Sequence, residues 1–228
     1  MSESLLAYHC GPALAGINPS NLVSCPKTDE LAGEIEVLNM RLNRKDIYLK
    51  IICECRRRVL VMVYRKKKLD AHLRNSDNAA FLEKFGYTAG GGIENCIERL
   101  RIRMKFDSFP HEIGVFLGYP IDDIDSFIKN KGAGCIFSGD WKVYNNPEQA
   151  RQTFKRYKAC RNAIMRRISG GMTLAELASL MQELGCSRAY NLDGGATSML
   201  FFNGQRANVP AGDGKRQCSD MIVFGEFK

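Results

Sequence analysis

The stretch with the clearest chemical character is residues 191–198, which read Asn-Leu-Asp-Gly-Gly-Ala-Thr-Ser. Asp193 ends a short predicted strand, and its carboxylate could act as an acid, a base or an electrostatic partner in hydrolysis. The two glycines that follow leave backbone N–H groups uncovered, which suits an oxyanion or a phosphate. The same Asp-Gly-Gly sequence is also typical of an ordinary hairpin turn. The other groups that a site here would use are Asn191, Gly194, Gly195 and Ser198.

A histidine followed by a glutamate, His111 and Glu112, is the second candidate. A zinc-protease motif would need another histidine one helical turn later, but residue 115 is a valine. The pair also lies on a predicted strand, where adjacent side chains point to opposite faces. We therefore expect hydrogen-bonded structural roles without a metal, and retain both residues as catalytic candidates to be tested.

The thiols are the third candidate. The neighbours His9 and Cys10 have the residue types of a base and a thiolate nucleophile, and His72 or His111 could reach Cys10 through the fold. The chain has nine cysteines, and no two of them have the Cys-x-x-Cys spacing typical of metal sites. Small apolar packing is the alternative role for most of them. Their odd number favours free thiols over a set of disulfides.

Positive charge is concentrated in one part of the chain. The formal net charge is +8, whereas residues 171–228 carry five Lys and Arg against six Asp and Glu. The excess therefore lies in residues 1–170, mainly in Arg56–Arg58, in Arg65–Lys68 and in a predicted helix over residues 146–168. If these cations share one face, they would bind nucleic acid or another polyanion. A solvated basic face is the alternative.

The elements that position these residues are organised around an apolar run at residues 109–120. Prolines bound this run, so the pattern predicts a buried strand. Gly114 and Gly118 would let another backbone or a ligand approach it closely. The surrounding patterns predict a loop-rich opening over 5–26, a helix over 31–42, a hairpin of Ile47–Cys53 with Val59–Tyr64, helices over 76–86, 93–104, 122–130 and 146–168, and a strand over Cys135–Tyr144.

Gly170 and Gly171 are the predicted boundary between two parts, residues 1–170 and 171–228. A capping box at residues 173–176 begins a helix in the second part. Asn203-Gly204 is a strong signal for a two-residue hairpin turn. The expected fold is therefore α/β or α+β: a mixed sheet with flanking helices, followed by a small helix-plus-β-hairpin segment.

The sequence also restricts location and partners. No run approaches the roughly 20 apolar residues that span a bilayer, and the N-terminal stretch lacks the features of an export signal. We therefore expect a cytoplasmic protein with no membrane partner, cofactor or metal. The sequence leaves the oligomeric state open.

Two resemblances refine these expectations. Residues 9–167 resemble a bacterial family catalogued as domain of unknown function 3793, which brings no activity with it. The matching motifs are HCGPAL at 9–14, FPHEIGVFLGYP at 109–120, WKVY at 141–144 and FKRYKAC at 154–160.

Residues 172–227 resemble the C-terminal end of phosphodiester glycosidases of the uncovering-enzyme type. The resemblance rests on MTLAEL at 172–177, LGC at 184–186, AYNLDGG at 189–195, and Lys215-Arg216 followed by Ser219-Asp220. Members of that family cleave a sugar from a sugar-1-phosphodiester, so a sugar-phosphate small molecule is the implied ligand. The resemblance places Asp193 and the two glycine N–H groups in the active site. It adds Asn191, Ser198 and Arg216 as supporting groups, and the planar guanidinium of Arg216 suits a phosphate oxygen.

The resemblance covers only part of such a domain. Its upstream half has no counterpart before Gly170, and a segment as short as 171–228 buries little surface by itself. We therefore interpret the chain as a fusion of a cytosolic module with a partial glycosidase segment whose active site is incomplete. The alternative is a non-enzymatic binding or regulatory module, with polyanions as one possible ligand class and the glycosidase segment as a remnant.

Overall fold

The computed structural model describes residues 3–88, 91–106, 109–169, 201–202 and 205–206. The chain divides into two units, Met1–Ile164 and Met165–Lys228, which are described separately. Unit 1 combines α-helices with a small antiparallel sheet, which confirms the predicted class of a sheet with flanking helices. The predicted boundary at Gly170 and Gly171 lies outside the described residues.

The main sheet has three strands, β1 (Ser20–Pro26), β2 (Ile47–Glu54) and β3 (Arg58–Arg65). Their order is β1-β3-β2 and both pairings are antiparallel. β2 and β3 form the predicted hairpin. Because β3 lies in the centre and is covered on both faces, its sequence is a continuous apolar run rather than an alternating one.

Eight α-helices precede or follow these strands within the described part of the chain. They are α1 (Glu3–Leu14), α2 (Leu31–Leu42), α3 (Lys66–Leu73), α4 (Ser76–Glu83), α5 (Gly92–Arg103), α6 (Ile113–Phe116), α7 (Ile121–Lys129) and α8 (Pro147–Ser169). A 3-10 turn at Asn43–Lys45 connects α2 to β2. A second, two-stranded sheet pairs β4 (Phe137–Ser138) with β5 (Lys142–Val143).

Alternate residues of β3 point to opposite faces of the main sheet and begin two separate cores. Val59, Val61 and Val63 pack with buried residues of α1 and α2, such as Leu6 and Leu31; we call this the α1–α2 face. Met62 and Tyr64 pack on the other side, which we call the α3–α7 face. That core is completed by Leu69, Leu73, Phe81, Leu82, Ile93, Ile97, Leu100, Ile113, Phe116 and Ile124.

The buried strand predicted at residues 109–120 is wrong. Residues 113–116 form the single turn of α6, and their side chains are buried. The Tyr119 N–H donates to the Gly114 carbonyl at 2.9 Å and the Gly118 N–H donates to the Val115 carbonyl at 3.0 Å. Gly118 has a φ of +71°, so this is a Schellman helix end with glycine at its left-handed position. The Gly-Tyr-Pro sequence is therefore a helix stop and not a strand stop.

Two other predictions for unit 1 need correction. The opening at residues 5–26 is not loop-rich, because it contains α1 and β1. The strand predicted at Cys135–Tyr144 is reduced to the short strands β4 and β5. The helices predicted over 31–42, 76–86, 93–104, 122–130 and 146–168 are confirmed within a few residues at their ends.

Besides the last residues of α8, unit 2 is described over two short strands, β6 (Phe201–Phe202) and β7 (Gln205–Arg206). They pair in the antiparallel sense with Phe202 opposite Gln205, which confirms the hairpin predicted from Asn203-Gly204. The helix and strands predicted over 173–200, and the strand predicted near the C-terminus, lie outside the described residues. Across the described part of the chain, no helix combines the length and apolar character that crossing a membrane requires.

Candidate functional site

The segment at residues 109–120 is fixed by side chains that bind the carbonyl groups of α6 and of the residue after it. The Ser20 hydroxyl donates to the Phe116 carbonyl at 2.7 Å, and Asn18 Nδ2 donates to the Leu117 carbonyl at 2.9 Å. His72 Nε2 lies 2.9 Å from the Val115 carbonyl. Three successive carbonyls at the end of a very short helix thus have side-chain partners from distant segments, so the main chain here has one well-defined position.

Glu112 is enclosed beside this segment, with only 1% of its side chain exposed. Its Oε1 accepts a hydrogen bond from the Tyr87 hydroxyl at 3.1 Å and forms an ion pair with Arg103 Nε. Burial, followed by the nearby Glu112 charge, raises the pKa of Tyr87, so its hydroxyl remains a donor. The hydrogen bond from Arg103 to Glu112 is the main cause of a raised pKa for the guanidinium. This carboxylate ties α5 to α6 and presents no surface to a substrate.

His111 points in another direction from its neighbour. Its ring is exposed and contacts the edge of Phe127, with the ring centroids 4.9 Å apart and the planes at 65°. The Phe109 ring also contacts it, at a centroid distance of 5.8 Å. His111 and Glu112 are therefore placed in separate environments, one at the surface and one in the core. The structure does not bring them together as an acid–base pair.

A cavity of about 220 Å³ lies beside His111, between α6, α7, β1 and the loop that carries Trp141. Aromatic rings make up much of its wall, and Lys142 and Asp123 are its charged residues. The lining residues are Leu22, Phe109, His111, Ile113, Gly114, Leu117, Tyr119, Asp123, Ile124, Phe127, Trp141 and Lys142. Sequence reasoning identified His111 and Gly114 of this site but not Asp123, Phe127, Trp141 or Lys142, and Gly118, which it also identified, does not line the cavity.

Asp123 holds the tryptophan wall of the cavity in place. Its Oδ2 accepts from Trp141 Nε1 at 2.7 Å, and its Oδ1 accepts from the backbone N–H groups of Tyr144 and Asn145 at 2.9 and 2.8 Å. A buried carboxylate needs such donors to offset its desolvation. Two features of the sequence could have indicated this contact. One is a carboxylate in the first turn of the helix after Pro120, and the other is the chain's single tryptophan.

Cys10 is packed in the α1–α2 face with no exposed surface. Burial raises the pKa of its thiol to about 12, so the thiol is protonated at neutral pH and does not have the properties of a nucleophile. His9, its neighbour, is exposed and contacts the Tyr8 ring. The structure thus separates His9 from Cys10 in the same way as His111 from Glu112. The cysteines of the described residues are all free, and no cluster of His, Cys, Asp and Glu in that part could hold a metal.

Several cations of the basic runs have internal partners. Arg65 donates to the carbonyls of Ala13 and Leu14 at the end of α1. The Arg58 guanidinium donates to the side-chain hydroxyl and to the backbone carbonyl of Ser24. Lys68 donates to the Ile17 carbonyl at 3.0 Å, and burial is the main cause of its lowered pKa. These contacts join the N-terminal segment to β3 and to α3, so part of the positive charge stabilises the fold.

The motif at residues 191–198 and Arg216 lie outside the described residues. Asn191, Asp193, Gly194, Gly195, Ser198 and Arg216 therefore remain predictions from sequence. Among the site residues predicted in unit 1, the cavity includes His111 and excludes Glu112, His9 and Cys10.

Comparison with known families supports both resemblances. The model of phosphodiester glycosidases matches residues 158–225, and the model described as "Protein of unknown function (DUF3793)" matches residues 6–178. Searches of curated proteins and of solved structures give no match. The DUF3793 model covers well over half of the chain and nearly all of unit 1. The protein is a member of the DUF3793 family, and it carries at its C-terminal end a segment similar to phosphodiester glycosidases.

Proposed function

We propose that this protein acts on sugar-1-phosphodiesters through residues 191–198 of its glycosidase-like segment. The observation that carries the proposal is the family match over residues 158–225, which includes the whole motif and Arg216. In this proposal the N–H groups of Gly194 and Gly195 bind the phosphodiester oxygens, and Arg216 adds a bidentate donor. Asn191 and Ser198 supply hydrogen bonds to the sugar or the phosphate.

Asp193 is the proposed catalytic carboxyl group. Cleavage of the bond between the anomeric carbon and the phosphate oxygen requires water to add at that carbon. Glycosidases usually place two carboxyl groups on either side of the bond, and Asp193 provides one. Asp213 and Asp220 are the nearby acidic residues of the same segment. We therefore expect slow turnover, because the sequence assigns only one of the two carboxyl groups that glycosidases usually use.

The test is a hydrolysis assay of the full-length protein on the p-nitrophenyl phosphodiester of a sugar-1-phosphate, with release of free reducing sugar as the readout. We expect slow release that Asp193→Asn and Arg216→Ala abolish. Glu183→Gln, which changes an acidic residue of the same segment outside the motif, is the matched control and should retain the wild-type rate.

The outcomes separate enzyme from binding module. Saturable binding of the substrate without sugar release would assign the segment to the non-enzymatic class. Rapid turnover would mean that other residues supply the second carboxyl group, and Asp213→Asn and Asp220→Asn would then identify it. If the full-length protein neither binds nor hydrolyses the substrate, the proposal is overturned.

A further inference from the structure

The cavity in unit 1 has an aromatic wall that is fixed before any ligand arrives. The Tyr119 and Trp141 rings lie 5.0 Å apart with their planes at 30°, and Phe154 supports Trp141 from the edge at 4.5 Å. Asp123 fixes the indole through its N–H, and the Tyr119 hydroxyl donates to the Asp140 carbonyl at 3.1 Å. Rings held in this way are suited to stacking against another flat ring.

Loose packing does not account for the cavity. At Gly114, on the cavity wall, an added Cβ would lie 2.9 Å from Ile124 Cγ1 and 3.2 Å from the Tyr119 ring, so α6 and α7 are in close contact. The exposed residues of its lining are Phe109, which is 51% exposed, His111 and Lys142. A tightly packed back wall and an aromatic rim are typical of a small-molecule site.

The size of the cavity limits its ligand. A cavity of roughly 150 Å³ holds benzene, and ligand pockets for drug-sized molecules begin at roughly 300 Å³. The cavity here, at about 220 Å³, lies between these two values. A single aromatic ring with a short side chain therefore matches its volume, and a nucleotide does not.

The polar groups of the site favour an anion. Lys142 Nζ lies 5.7 Å from the centre of the Phe127 ring and uses one of its donors on the Gly132 carbonyl at 2.7 Å, which leaves donors for a ligand. His111 lies against the edge of the same Phe127 ring. The other charged group, Asp123, already accepts hydrogen bonds from Trp141, Tyr144 and Asn145. Asp123 is also buried, so its carboxylate is directed at these internal donors and not at a ligand.

We propose that this cavity binds a small aromatic carboxylate. The ring of the ligand would lie between the Trp141 and Phe127 side chains, and its carboxylate would contact Lys142 and His111. This proposal uses no residue of the glycosidase-like motif, so the two proposals can fail separately. A binding role fits unit 1 because the fold separates the acid–base pairs that its sequence suggested.

The experiment titrates the full-length protein with three compounds that share one phenylpropyl carbon skeleton: 3-phenylpropanoate, 3-phenylpropanol and 3-phenylpropylamine. Trp141 is the only tryptophan of the chain and lines the cavity, so its fluorescence reports binding directly. Isothermal titration calorimetry provides an independent readout. We expect the carboxylate to bind about fivefold more tightly than the alcohol, as for a solvent-accessible ion pair, and the amine to bind most weakly.

Two variants and a control locate the site. Lys142→Met should remove the fivefold preference for the carboxylate and leave the affinity for the alcohol unchanged. Lys50→Met changes another exposed strand lysine that does not line the cavity, and should bind all three compounds like the wild type. Leu22→Phe fills the cavity from β1 and should abolish binding of carboxylate and alcohol alike.

Because Lys142 is exposed, its variant is expected to fold even if Leu22→Phe does not. If neither the Trp141 fluorescence nor the calorimetric heat shows saturable binding of 3-phenylpropanoate up to millimolar concentrations, the proposal is overturned. An unchanged preference for the carboxylate in Lys142→Met would overturn the assigned orientation. Tighter binding of the amine would overturn the ligand class.

Discussion

The two faces of the main sheet are covered in different ways. On the α1–α2 face, two helices bury an apolar layer in which Cys10 is a small packed thiol. On the α3–α7 face, five helices surround a core that borders a buried carboxylate, Glu112, and the aromatic cavity. One strand, β3, supplies the centre of both layers.

The difference shows which part of unit 1 has features that packing alone does not require. An apolar layer contributes stability through burial and needs no polar group in its interior. A buried ion pair contributes little net stability compared with apolar residues of the same size, and an unfilled cavity costs stability. Both features occur on the α3–α7 face. A face that retains such costly features is the better candidate for binding a ligand.

The largest expected effect is at the ion pair of the α3–α7 face. Replacing Glu112 with Met leaves the Arg103 guanidinium partly buried without its partner and removes the acceptor of the Tyr87 hydroxyl. We expect the free energy of unfolding to fall by about 3–5 kcal/mol. Urea denaturation measures it, and the double variant with Arg103→Met should recover part of the loss because no unpaired charge remains. A single variant within about 0.5 kcal/mol of the wild type would contradict the assigned role.

A smaller effect is expected on the α1–α2 face. Val61 has no exposed surface and packs among apolar residues, so Val61→Ala removes two methyl groups and leaves a small cavity. We expect a loss of about 2 kcal/mol in the free energy of unfolding. The fluorescence of Trp141 in the folded state should be unchanged, because that residue belongs to another cluster. A clear shift in that emission would show that the α1–α2 face is coupled to the cluster around Trp141.

The sequence predicted those elements of the fold that have a clear local pattern of apolar and polar residues. The hairpin of β2 and β3 was correctly predicted because its two apolar runs are separated by a basic turn that is exposed in the structure. The helices over 31–42 and 93–104 were correctly predicted from apolar residues at helical spacing. Each of these elements has one clear pattern that tertiary contacts did not override.

The run at residues 109–120 shows where local pattern is insufficient. Four apolar residues buried on all sides fit a strand and a helical turn equally well, because neither exposes a polar face. The carbonyl contacts from Ser20, Asn18 and His72 stabilise the turn, and they come from segments distant in sequence. The cavity was missed for the same reason, since its wall joins β1, α6, α7 and the loop before β5. For α1, the proline at residue 12 suggested a loop although it lies in the last turn of the helix.

The smallest expected effect is a pH dependence on the α3–α7 face. Burial lowers the pKa of His72 below its usual value, and its Nε2 contacts the Val115 carbonyl. In the unfolded chain His72 takes up a proton near pH 6.5, whereas in the folded protein the ring stays neutral to a lower pH. Stability from His72 is therefore complete above about pH 6.5 and is lost as the pH falls towards the lower pKa of the folded state, at no more than about 1.4 kcal/mol per pH unit.

Urea denaturation of the wild type and of His72→Gln between pH 7.5 and pH 5 measures this contribution as the difference between two slopes. His9→Gln, which changes an exposed histidine of α1, is the matched control for loss of a histidine. Equal slopes for the wild type and His72→Gln would mean that this ring does not titrate with folding.

The strand order β1-β3-β2 also has a consequence during synthesis, because the chain is made from its N-terminus. Ser20 of β1 pairs with Tyr64 of β3, so β1 leaves the ribosome well before its partner exists. At usual translation rates the delay is roughly two to nine seconds. During that interval β1 is an unpaired strand with open hydrogen-bonding groups, which is a risk for association with other nascent chains. Helix α1 emerges before β1 and packs on it in the finished fold, so it can cover the apolar side of β1 until β3 arrives.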